Sequence, residues 1–177
     1  MRVQVRTPRY DRLSRWLHWI FAGAILYTLV AGYSLHIISN EHLWSLISTV
    51  NMSIATVLLV LFPLRYVWAK VRPQLSAGDY VAEASPIQHA IATCTHAMLY
   101  LFMGIVLMSG FLMVPDGYHL FGLWFIPTPF GRGEVTAHWY EIHRVACYAL
   151  AACVALHLAG VLKQVMKANY AIIRRMI

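Results

Sequence analysis

Glu141-Ile-His143-Arg-Val-Ala-Cys-Tyr-Ala-Leu-Ala-Ala-Cys-Val-Ala-Leu-His157-Leu-Ala-Gly-Val-Leu-Lys163 is the stretch on which the reading of this chain turns. Between Arg144 and Lys163 every residue is apolar or weakly polar except His157. That is about the length a helix needs to cross a bilayer core. His143 and His157 are fourteen positions apart. Fourteen residues make close to four helical turns, so both rings leave one face, roughly 21 Å apart along the axis. An imidazole inside hydrocarbon is costly and needs a reason. Two on one face near opposite ends of a span suggest ligands for two metal centres, one per leaflet.

The composition agrees. Only 12% of the 177 residues are charged, against about 25% in a soluble domain, and the mean hydropathy is +0.60. The whole chain, residues 1–177, reads as one membrane domain with no room for a separate soluble one. A net charge of +7 invites nucleic acid as a partner, but the charges lie at the ends of apolar spans, where they set orientation. Cys94, Cys147 and Cys153 all fall inside apolar stretches with no metal-binding spacing and read as small buried hydrophobes. No cleavable signal is expected, because the first apolar run is too long and no small-residue cleavage site follows it.

Four spans are expected, an all-α four-helix bundle. The first runs from Trp16 to about Ile38, with His18 near its start and His36 near its end. The second covers about Leu43–Ala69, with Pro63 placed to kink its last turns and Arg65 placed to snorkel to the interface. A polar connector, Lys70–Pro86, leads to the third, about Ile87–Val114. The longest loop, Pro115–Tyr140, is rich in Pro, Gly and aromatic residues, as expected at a membrane interface. The fourth span is the opening stretch.

Charge sets the expected topology. Arg2, Arg6, Arg9, Arg12 and Arg15, then Arg65, Lys70 and Arg72, then Lys163, Lys167, Arg174 and Arg175 share one side. Only Arg132 and Arg144 lie opposite. The positive-inside rule therefore puts both termini in the cytoplasm. A soluble helical bundle is the competing reading, and four uncharged runs of this length cannot all hide in so small a core.

Topology gives each histidine a depth. His18 and His157 lie level near the cytoplasmic ends of the first and last spans and can hold one haem iron between them. Such bis-imidazole iron suits electron transfer, with burial and hydrogen bonding tuning its potential. Either ring alone has the plainer reading of a bond to a neighbouring helix. His143 sits at the periplasmic end, where the second span offers Asn51 and, about 100° round the helix, Met52. His42 lies higher, in the loop. His96 is nearer the cytoplasmic start of span three, suited to a haem propionate, a quinone carbonyl or a neighbouring helix. His36, His119 and His138 fall at or outside the periplasmic surface and His89 at the cytoplasmic one, where imidazoles need no explanation.

These pieces together resemble a known family. Arg15-Trp-Leu-His18-Trp, Leu64-Arg-Tyr-Val-Trp68, Thr95-His-Ala-Met-Leu-Tyr100, and His143 with His157, in this order, are similar to the bacterial cytochrome b561 family of small inner-membrane cytochromes. The resemblance covers nearly the whole chain. It implies two b haems, one ligated by His18 and His157, the other by a span-two histidine and His143. It implies electron transfer between a periplasmic donor and the quinone pool, including oxidation of superoxide with reduction of ubiquinone. Asn51 stands where the family pattern has its span-two histidine. Three outcomes are open: the periplasmic haem is lost, it is held through His143 with an open sixth position, or Met52 replaces the imidazole.

Two functional classes follow. In one, the chain is a membrane electron carrier of the respiratory chain, a superoxide:quinone or quinol oxidoreductase, with lipid and quinone as partners. Arg15 and Arg144 are the candidate propionate donors, and Trp16, Trp19 and Trp68 the cytoplasmic aromatic belt. In the other, it is a membrane-anchor cytochrome b subunit relaying electrons between quinone and a partner dehydrogenase docked on the Pro115–Tyr140 loop. A transporter would call for acidic residues or broken helices at the midplane, and neither is evident.

Overall fold

Four helices are outlined by their own punctuation in the computed structural model, which describes residues 10–71 and 86–166. Asp11 caps α1 (Arg12–Ser34): its carboxylate accepts the Ser14 N–H at 2.8 Å. Asn40 does the same for α2 (Glu41–Val71) through the Leu43 N–H at 2.9 Å. Glu41 and Glu134 open α2 and α4, and Lys70 and Lys163 close them, each charge complementing the helix dipole. α3 spans Pro86–Leu112, with Pro at its first position, where no amide donor is needed. α2 runs unbroken through Pro63, which leaves the Leu59 carbonyl without its helical donor.

All four helices are long and apolar enough to cross a membrane. Their outer faces are as apolar as their inner ones: Val30, Val60 and Val145 are about two-thirds exposed or more. Such a surface suits lipid, not water. The shared core is small and lies mid-bundle, where Phe21, Leu58 and Leu150 are fully buried against Leu17, Ile25, Met103 and Leu107. α3 packs most extensively on α4, α1 on α2, and α2 on α3, whereas α1 and α4 barely touch.

The fourth span begins earlier than expected. α4 covers Glu134–Met166, so His138, Trp139 and Tyr140 belong to its first turns and not to the preceding loop. Gly133 and Thr136 start it by exchanging hydrogen bonds at 3.1 and 2.9 Å. The rest of that loop is folded. β1 (Tyr118–Leu120) and β2 (Trp124–Ile126) pair antiparallel, with His119 opposite Phe125. Gly117 and Gly122 take positive φ, and a Cβ at Gly117 would lie 2.6 Å from the Ile126 carbonyl oxygen. The hairpin is fastened to α2. The Phe121 N–H donates to Ser53 Oγ at 2.7 Å, and Tyr118 shares a hydroxyl hydrogen bond with Thr56.

The amino-tail arginines Arg2, Arg6 and Arg9, the connector residues 72–85, and Lys167, Arg174 and Arg175 lie outside the described residues. Below, "upper" means the hairpin end of the bundle and "lower" the opposite end.

Candidate functional site

The lower half gathers one basic side chain from each helix. His18 on α1, Arg65 on α2, His96 on α3 and His157 on α4 lie within electrostatic range of one another. The His96 and His157 ring centroids are 5.3 Å apart. Arg65 does not snorkel outward as expected. Its guanidinium turns in, 4.8 Å from the Phe21 ring and 5.7 Å from that of Tyr100, because the aromatic faces attract a cation that has left water. His18 and His157 are half-buried, and His18 meets Trp19 edge-on at 5.5 Å. Trp68 closes this end. Its indole N–H reaches Asp11 Oδ1 at 3.3 Å and Ser14 Oγ at 3.2 Å, tying α2 to α1.

Asp11 lies at the helix start, outside the apolar span. Partial burial raises its pKa, but hydrogen bonds from Ser14 and Trp68 outweigh that and hold it below the usual 3.8.

The upper half centres on His143, half-buried on α4. Its Nδ1 lies 3.1 Å from the Val106 carbonyl oxygen and 3.2 Å from Ser109 Oγ. A carbonyl only accepts, so Nδ1 carries the proton and Nε2 presents its lone pair. Cys147 Sγ, one turn on, is 3.4 Å from Nε2. Gly110 on α3 makes room for the ring: a Cβ there would sit 3.0 Å from His143 Cε1. Ser109 is fully buried and also donates to the Ile105 carbonyl at 2.6 Å. Ser109 and Gly110 were not legible as site residues, since small residues on an apolar span carry no chemical signature.

His143 borders a cavity whose enclosed part is about 140 Å³ and which all four helices and Tyr118 line. It continues outward past the exposed rings of Tyr33 and Tyr148. Asn51 and Met52 both line it, despite their different headings on α2. His36 lines it too, although it was expected at the surface, away from the site. Arg144 borders the same cavity, but its Nη2 is 2.6 Å from Glu141 Oε2, so a carboxylate already engages it.

Both halves fit the haem that the resemblance implies. Below, two imidazoles stand on the pair of helices that barely touch, beside an inward guanidinium suited to an anionic group. Above, a backbone-anchored imidazole keeps the Nε2 lone pair for a ligand in place of the weak Cys147 thiol contact, the usual outer-shell arrangement of a metal-bound histidine. Asn51 Oδ1 is a buried acceptor with no hydrogen-bond partner in this cavity, a polar atom waiting for a group. No cluster of three or more His, Cys, Asp or Glu suited to a bare metal ion occurs among the described residues.

A search among curated proteins gives no match. The family model described as prokaryotic cytochrome b561 matches residues 9–177, nearly the whole chain and all four helices. With that match and four helices fit to cross a membrane, the chain belongs to the prokaryotic cytochrome b561 family and is a multi-pass inner-membrane electron carrier using haem b.

Proposed function

We propose that the chain moves single electrons across the membrane between a periplasmic donor, superoxide included, and the quinone pool. Haem b supplies a one-electron iron couple; the protein supplies ligands, burial and charge. His18 and His157 would hold the lower haem. Arg65 places a positive charge beside it, and His96 packs on the His157 ring and restricts its rotation. Arg15, in the α1 turn before His18, is a propionate donor. His143 holds a second haem above, with its ring aimed by Val106 and Ser109. The charge bias places both termini in the cytoplasm, so the lower haem faces the cytoplasmic leaflet and the hairpin the periplasm.

The observation that carries this reading is the convergence of His18, Arg65, His96 and His157, one from each helix, with His143 one bundle-half away on the same helix as His157. The test is a haem count by pyridine haemochrome on purified protein, followed by addition of superoxide or a short-chain quinol. Reduction of the isolated haem by either supports a self-sufficient oxidoreductase. Absence of haem in protein expressed with excess haem refutes the reading.

One observation favours a second reading, a membrane-anchor subunit of a dehydrogenase. Phe121, Leu123, Trp124 and Phe125 are all about half exposed or more on the hairpin, a firm apolar ledge for a periplasmic partner. A stoichiometric partner retained in mild detergent, with no reduction by superoxide or quinol alone, selects this reading over the first.

A further inference from the structure

The residue facing His143 is open on the reading above. α2 offers two. Asn51 presents an amide, which is not among the usual axial ligands of haem iron. Met52 Sδ lies 3.8 Å from the Ser48 hydroxyl on its own helix. The third polar candidate comes from another element. His36 follows the end of α1 and lines the same cavity as His143 and Asn51.

Three observations bring His36 toward His143. The Tyr33 and Tyr148 rings, 5.7 Å apart, are a side-chain contact between the upper parts of α1 and α4, whose backbones otherwise stand apart. His36 lies three residues beyond Tyr33, and His143 five before Tyr148 on a helix running the other way, so both continue upward from that contact. His36 also follows His18 at a helical spacing. The two are eighteen positions apart, which would be five turns of an unbroken helix; α1 itself stops two residues short of His36. His143 and His157 share one face of α4. The segment carrying His36 is also adjustable. α1 ends at Ser34, and the His36 N–H bonds only to the Tyr33 carbonyl, at 3.2 Å, in a turn beyond the helix.

We propose that His36 supplies the imidazole opposite His143, taking the place that Asn51 cannot fill. This rests on the reading that the upper half holds a second haem. α1 and α4 then each provide one ligand to both haems, and α2 provides none. Asn51 is left as a polar neighbour, its Oδ1 facing the cavity. The upper iron is six-coordinate and closed to small ligands, as a relay requires.

The test uses the full-length protein in detergent, with haem counted by pyridine haemochrome, spin state read by electron paramagnetic resonance, and carbon monoxide added to the reduced form. The wild type is expected to hold two low-spin haems per chain and to bind no carbon monoxide. His36→Ala should convert one haem to a high-spin form that binds one carbon monoxide per chain, with added imidazole restoring the low-spin signal. Asn51→Ala and Met52→Leu should leave both haems low-spin. Two low-spin haems in His36→Ala, or a wild type that already binds carbon monoxide, overturn the assignment and leave the two-haem reading standing. A single haem in the wild type overturns both.

Discussion

Gly110 on α3 is flush against the His143 ring of α4, so close that a methyl group at 110 would lie 3.0 Å from Cε1. The ring cannot simply swing away, because the Val106 carbonyl holds Nδ1 at 3.1 Å from the same helix. Gly110→Ala is therefore expected to break that hydrogen bond or separate α3 from α4. Overpacking of this kind costs about 1–3 kcal/mol. The measurements are the thermal midpoint in detergent and the haem-to-protein ratio. Both should fall, the ratio by the one haem proposed to sit on His143. An unchanged ratio would show that the ring tolerates displacement.

One of the two hydrogen bonds that fasten the hairpin to α2 rests on a buried hydroxyl. Ser53 Oγ donates to the Thr49 carbonyl at 2.7 Å and accepts the Phe121 N–H at 2.7 Å. Ser53→Ala removes that acceptor, and an amide left unmet costs about 1–3 kcal/mol. Hydrogen exchange at Phe121 should quicken by about tenfold or more. The helical amides around Leu58 should not change. Equal acceleration in both places would mean that the whole bundle had loosened.

Arg65 brings a positive charge to the lower histidine cluster. A nearby cation makes adding an electron easier, so Arg65→Leu should lower the midpoint potential of the haem proposed there. A change on the order of tens of millivolts follows from a single charge at an effective dielectric of about 20. Redox titration of the two proteins checks it, and a potential that rises contradicts the placement. Arg65→Lys should retain most of the potential while losing the stacking on Phe21 and Tyr100.

Asp11 adds a pH-dependent clasp at the lower end. Burial raises its pKa, and the hydrogen bonds from Ser14 and Trp68 together outweigh that and hold it below 3.8. A carboxyl more acidic in the folded state stabilises fully above its unfolded value and loses that contribution as pH falls through its folded value. The wild type should therefore melt higher than Asp11→Asn at pH 6, and the difference should shrink below about pH 4. Trp68→Phe should narrow it as well, since the indole is one of the donors. A gap between the two melting curves that persists at pH 2 would rule this out.

The sequence by itself determined the membrane class, the four spans and the identity of His18, His143 and His157 as the residues to watch. Those facts are local. A run of apolar residues has to cross lipid whatever surrounds it, and residues fourteen apart on one helix share a face by helical geometry alone. Even the family was readable, because its signature lies in short stretches such as those around His18 and His96. The tertiary structure decided what depends on neighbours from other helices. It turned Arg65 inward, because Phe21 and Tyr100 arrive from α1 and α3. It fixed the His143 tautomer, because Val106 presents a carbonyl from α3. It placed Thr136 and Trp139 in α4 and folded the residues before them into a hairpin, because Ser53 and Thr56 on α2 receive Phe121 and Tyr118. It also brought His36 to the cavity of His143. A turn at a helix end reads as surface in the sequence, and only the packing of the four helices shows that this turn borders the cavity of His143.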